Sequence, residues 1–202
     1  MALLSAAPCR ADGIGLSTKW SGGYIGAQTG GIWSDLQGSK AAWSKGGHAG
    51  YGLQFGMLVV GVEGDATWGG SQSSTLYSPI IYWNNQTNWT GSVRGRLGVA
   101  FDNHHLYATG GAAYIDQTTS VNRLGQGLQS TTSSTPGTVI GAGIEYRFLP
   151  GIVGRIEALH YDYSIASQSW AAAPTKSLPA FSTPDLSAQD TVVRVGVSLR
   201  FN

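Results

Sequence analysis

Four acids and four bases stand in stretches otherwise nearly empty of charge: Glu63, Asp65, Glu145 and Glu157, with Arg94, Arg96, Arg155 and Arg194. Carboxylates gathered in a cavity can serve as general acid and base, and mixed charge lining a channel can guide ions. The same eight residues can also neutralise one another and do no chemistry. His160, Asp162 and Ser164 are the types a hydrolytic relay uses, but alternate spacing leaves them too open for one. Tyr77 and Tyr82 are the only conventional haem ligands in the long polar segments, which lack histidine. With Trp83 and Trp89 they would equally make contact anchors for a partner or anchors at a lipid interface. No metal site is expected.

The elements that must position these residues show period two. Between Leu58 and Trp68, the residues Leu58, Val60, Val62, Ala66 and Trp68 alternate with Val59, Gly61, Glu63, Asp65 and Thr67. Val193, Val195, Val197, Leu199 and Phe201 likewise alternate with Arg194, Gly196, Ser198 and Arg200. The same reading predicts strands over Tyr24–Trp33, His48–Phe55, Gly91–Phe101, Leu106–Ile115, Val139–Phe148 and Ile152–Tyr163, most about ten residues long, as a tilted strand needs to cross a bilayer. Tight turns are expected at Phe55–Met57, Asp102–His105 and Leu149–Gly151. Long loops are expected over Asp35–Gly47, Gly69–Trp89, Asp116–Pro136 and Ser164–Gln189. Short turns on one side and long polar loops on the other predict an all-β, eight-stranded, antiparallel up-and-down barrel, with periplasmic turns and four extracellular loops.

Charge decides which face is inside. Glu63, Asp65, Arg94, Arg96, Glu145, Arg147, Arg155, Glu157, Arg194 and Arg200 all fall opposite the apolar face. A soluble barrel would have to bury Trp33, Tyr51, Phe55, Trp68, Phe101, Tyr114, Tyr146 and Phe201 in a lumen that eight strands barely leave open. The inverse arrangement turns those aromatics to lipid and leaves the charges among glycines inside. Pairing across the Leu149–Gly151 hairpin then sets Glu145 opposite Arg155. Glu63 can meet Arg94 or Arg96, and His48 can approach Asp65. His104 and His105 fall in a turn, and His160 faces lipid near the outer rim. A scaffold of ion pairs is the expectation for this lumen, ahead of an ion pathway or catalysis.

Charged residues are only 11% and the net charge is +1, which argues against a nucleic-acid partner. Residues 1–11, MALLSAAPCRA, read as the remnant of a secretory signal, and Cys9 there is the single cysteine. Residues 12–19 read as a periplasmic lead-in and 20–202 as the barrel.

The runs AGIEYRFLPGIVGRIEALHY (Ala142–Tyr161), RGRLGVAFD (Arg94–Asp102) and GVSLRF (Gly196–Phe201) resemble the OmpA transmembrane domain and its relatives. WSGGYIGAQTGG (Trp20–Gly31) and GVEGD (Gly61–Asp65) resemble more closely the small outer-membrane β-barrels of alphaproteobacteria, which include major surface proteins and hemin-binding proteins. The resemblance implies a porin-like structural protein of the Gram-negative cell outer membrane, with lipid and lipopolysaccharide as its surroundings. It also implies, as an alternative, a surface receptor or adhesin whose loops bind hemin or a host molecule. No other cofactor is implied. Arg194, Gly196, Leu199 and Phe201 resemble the signal read by the barrel assembly machinery, although any final barrel strand has this look.

Overall fold

A computed structural model of the chain describes residues 19–34, 42–69, 72–78, 81–123, 127–165, 169–170, 181–182 and 186–201. The expected signal remnant, Cys9 and residues 12–18 of the expected lead-in lie outside the described residues. The elements are β1 (Gly22–Ser34), β2 (Ala42–Phe55), β3 (Leu58–Trp68), β4 (Gln72–Ser78), β5 (Ile81–Phe101), β6 (His104–Arg123), β7 (Gly127–Leu149), β8 (Ile152–Ile165), β9 (Ser169–Trp170), β10 (Phe181–Ser182) and β11 (Leu186–Phe201).

Eight of these close on themselves. The order β3-β2-β1-β11-β8-β7-β6-β5 returns from β5 to β3, every neighbour antiparallel. Following partners once around, Gly23 leads through Tyr51, Val62, Gly95, Gly110, Ile140, His160 and Thr191 to Trp33, ten residues farther along β1. That stagger fits eight strands tilted by about 40°. Closure leaves no open edge around the wall, so backbone groups are paired within the sheet, as a hydrocarbon surround demands.

The wall is inside out. Ile25, Tyr51, Val62, Val93, Leu97, Ile140, Ile156 and Val197 are exposed on the outer surface, and the eight aromatics expected there are all exposed. Glu63, Arg94, Arg155, Glu157 and Arg194 are buried inside.

The short turns follow from their residues. Gly56 (φ 63°) opens the two-residue turn between the paired Phe55 and Leu58. Pro150-Gly151, with Gly151 at φ 81°, supplies the fixed φ and the left-handed residue of a type II turn. Asp102 takes φ 51° in the third, a conformation its short polar side chain tolerates. That turn holds only Asp102 and Asn103, because Phe101 already pairs with His104. The expected four-residue turn is therefore too long, and His104 and His105 belong to β6.

The expected strand lengths also need correction. β5, β6 and β7 run 21, 20 and 23 residues. Much of what reads as loop between Gly69 and Trp89, and between Asp116 and Pro136, is a continuation of the hairpins. β4 pairs with the outer part of β5, and β6 pairs with β7 from Arg123↔Gly127 downward. Beyond the bilayer both faces of a strand meet water, so apolar alternation ends while backbone pairing continues. Thr118 and Thr132 still join hydroxyl to hydroxyl at 3.1 Å there.

Candidate functional site in the barrel lumen

The lumen is filled in three layers. At the short-turn end Trp20, Val59, Ala100 and Val153 pack together. Trp20 lies before β1, and the strap around it is tied down. Its N–H donates to Gln54 Oε1 at 3.0 Å, its carbonyl accepts from Arg200 Nη1 at 2.5 Å, and the Arg147 guanidinium donates to the Lys19 carbonyl. At the opposite end Ala113, Ile115, Val139, Leu159, Tyr161, Tyr163 and Val192 form an apolar cap.

Between them lies the charge cluster. Glu63 accepts from Arg94 Nη2 at 2.5 Å, Arg155 Nη1 at 2.6 Å, Arg96 Nη1 at 3.1 Å and the Tyr24 hydroxyl at 2.9 Å. Glu157 accepts from Arg94 Nη1 at 3.0 Å, Arg194 Nε at 2.7 Å and the Tyr107 hydroxyl at 3.0 Å. Asp65 takes Arg194 Nη1 at 3.2 Å and the Ser92 hydroxyl at 2.5 Å. Glu145 takes Arg96 Nη2 at 2.5 Å and meets His105 Nδ1 at 2.9 Å. The Arg96 guanidinium also lies 3.7 Å over the Tyr107 ring. The side chains of Glu63, Arg94, Arg155 and Glu157 have 0% accessible surface, so not even an enclosed water-sized space touches them. A charge buried so completely needs several partners, and each has them.

All eight sequence-singled charges thus meet in one cluster. Arg200 joins as a fifth arginine, 3.9 Å from Glu145. Three expectations are corrected. Glu145 and Arg155 are register partners, but no ion pair joins them. In a lumen this narrow, long side chains reach across it, so Arg155 crosses to Glu63 and Glu145 turns to Arg96 and His105. His48 is the register partner of Asp65, yet its Nε2 bonds the Ser198 hydroxyl at 2.7 Å instead. His105 is no turn residue but buried against Glu145 and the Trp20 ring. His160 does face outward, its Nδ1 3.3 Å from the Thr191 hydroxyl.

Tyr24, Tyr107, Trp20, Gln28 and Ser198 were not singled out from sequence. Most share one device: a lumen-facing glycine sits between two partners on the flanking strands, and they join over the gap. Tyr24 pairs with Gly50, which pairs with Glu63, and Tyr24 bonds Glu63 over it. Tyr107, Gly143 and Glu157 repeat the pattern, as do Arg155, Gly196 and Gln28. His48 reaches Ser198 over Gly26 in the same way. A register-aligned polar–Gly–polar trio is the signal that could have found them.

Of the remaining candidates, Trp89 is exposed on the outer wall and pairs with Trp68. Tyr77 on β4 and Tyr82 and Trp83 on β5 are placed by their backbones at one extramembrane hairpin. Their side chains lie outside the described residues, as does that of Ser164. Among the described residues, no group of three His, Cys, Asp or Glu could hold a metal ion. A cavity of about 30 Å³ opens above the cluster between Gln28, Thr67, Tyr161 and Arg194, room for a water or two.

Over residues 1–201 the chain matches the family described as "Outer membrane protein beta-barrel domain". It is 28% identical over 189 residues to a 25 kDa outer-membrane immunogenic protein of Brucella canis, covering 91% of this chain and 80% of the relative. It is 30% identical over 147 residues to a 22 kDa outer membrane protein of Rhizobium leguminosarum bv. viciae, covering 72% of this chain and 65% of that one. Among solved structures it is similar to Neisserial surface protein A, with a TM-score of 0.54 at 14% identity, covering 90% of this chain and 98% of that chain. The last is a likeness of fold alone.

Proposed function

The chain belongs to the outer membrane protein beta-barrel domain family, which places it in the cell outer membrane, and on that premise we propose that its role is structural. In this reading a porin-like barrel, closed rather than conducting, braces the envelope and carries hairpins above the surface. The observation that carries it is the central charge cluster, whose side chains at Glu63, Arg94, Arg155 and Glu157 have no accessible surface at all. Neither solute nor substrate can reach them. The Ser198–His48 contact is buried as well, so that hydroxyl–imidazole pair has no access to a substrate.

Assembly fits the same reading. Leu199 and Phe201 are exposed on the outer wall of β11, and Arg194 and Gly196 face the lumen, where Arg194 is held by Asp65 and Glu157. Before β1 and β11 meet, this strand offers the assembly machinery a free edge for strand addition. The cellular test is loss of the protein. A strain without it should become more sensitive to detergent, with uptake of small hydrophilic solutes unchanged. Slower solute uptake with unchanged detergent sensitivity would contradict the structural role.

One feature favours a second reading, a receptor. Leu76 pairs with Tyr82, so the backbones of Tyr77 and Tyr82 adjoin on a hairpin that leaves the barrel wall. The immunogenic naming of the Brucella relatives accords with exposed hairpins. A saturable absorbance change on adding hemin, abolished by Tyr77→Phe with Tyr82→Phe, is the result that reading requires.

A further inference from the structure

The outer wall carries one feature that neither a scaffold nor a loop receptor uses. Lys45 points outward from β2, exposed, with no partner among the described residues. It lies ten residues above Phe55 on the same face of the strand. At about 3.3 Å per residue and a tilt of about 40°, that is a height of about 25 Å, the thickness of a barrel's apolar band. Phe55 marks the inner interface and Lys45 therefore the outer one.

Its surroundings at that height are aromatic. Lys45 pairs with Trp68 on β3 and Thr29 on β1, and Trp68 pairs with Trp89 on β5. Trp43, on the same face of β2, is 76% exposed, and Trp33 is exposed two residues beyond the Gly31 that Trp43 pairs with. Along the same row Trp89 pairs with Asp116 on β6, which bounds the sector with an acid, and Asp162 stands beside His160 on β8, across the barrel. Among the described residues Lys45 is the one lysine or arginine at this level of the wall.

The geometry points to Lys45, flanked on the wall by Trp43 and Trp68, as a docking site for the phosphate of an outer-leaflet glycolipid. An ammonium on a long apolar stem can place three donors at the phosphate level while its stem lies on the wall. The indoles seat at the same interface and offer N–H donors to the sugar. A neutral lipid gains nothing from the cation, and Asp116 and Asp162 on β6 and β8 repel an anionic one, so charge complementarity favours the β2–β3 side of the barrel. This names a lipid partner and a site for it, and it rests on the outward orientation of the wall, not on whether the lumen is closed.

The test is native mass spectrometry of the folded, detergent-solubilised protein with bisphosphorylated lipid A, its dephosphorylated form, or phosphatidylglycerol. Wild type should retain bisphosphorylated lipid A, Lys45→Gln should bind it about fivefold more weakly, and Lys45→Arg should keep it. An unchanged electrophoretic shift on boiling shows that each variant is folded, which separates loss of the site from loss of the barrel. Equal retention by Lys45→Gln overturns the proposal. So does wild-type binding of dephosphorylated lipid A or phosphatidylglycerol as strong as that of the bisphosphorylated form.

Discussion

Glu63 is the residue on which the lumen turns. Three guanidiniums and a phenol donate to it, and each guanidinium is shared with another acid: Arg94 and Arg155 with Glu157, Arg96 with Glu145. Replacing Glu63 by Ala leaves three buried arginines short of a partner, a cost of about 3–5 kcal/mol. Urea unfolding of the refolded barrel in lipid vesicles measures it. Double-mutant cycles separate the contacts seen from those that strand register alone suggests. Glu63 and Arg155 should show a coupling above about 1 kcal/mol, whereas Glu145 and Arg155, linked only through Glu63 and Arg96, should show a clearly smaller one. A large Glu145–Arg155 coupling would restore the hairpin pair expected from sequence. The sequence made the eight charges legible as one group, because period two puts them all on one face. It did not reveal who holds whom. Register fixes Cα neighbours, while arginine and glutamate reach past them to strands far off in sequence, as Arg155 reaches Glu63.

The strands do two jobs with one alternation. Outward positions solvate the barrel in lipid, and inward positions alternate long polar side chains with glycines that make room for them. A Cβ added at Gly143 would overlap the Tyr107 ring, whereas one at Gly110, on the outer face, would meet Val139 and Ile140 at ordinary distances. Gly143→Val should therefore displace Tyr107 from Glu157 and destabilise by about 1–3 kcal/mol, while Gly110→Val stays within about 0.5 kcal/mol. Comparable unfolding midpoints for the two would refute the glycine-gap account. On the outer face, Val62 is 61% exposed at mid-wall, and Val62→Arg should cost about 2–4 kcal/mol in a bilayer. A soluble barrel would accept it at no cost. Strand existence and facing were readable because lipid and lumen impose opposite chemistry on alternate residues. The ends were not, since β5, β6 and β7 continue into water, where nothing imposes a pattern. The bounds of the Asp102-Asn103 turn are hidden for a related reason: paired histidines look like turn polarity, yet His105 is a lumen residue.

As a whole the molecule is a wall with a plug built from its own side chains. Trp20 and its strap close the short-turn end, and the tyrosine-rich cap narrows the other. The cluster between them holds five arginines, Arg94, Arg96, Arg155, Arg194 and Arg200, against four acids, Glu63, Asp65, Glu145 and Glu157. The layering was only half visible beforehand, because Trp20 precedes the first strand and has no place in a strand pattern. Sealing by paired charge is the centre of this account, and planar-bilayer recording of the wild-type monomer tests it most directly. The closed cluster predicts no steady conductance above the bare membrane, and a small, anion-preferring leak only when Glu63→Ala leaves guanidiniums unmatched. A large, stable conductance of the wild-type protein would contradict it and make the barrel a working pore.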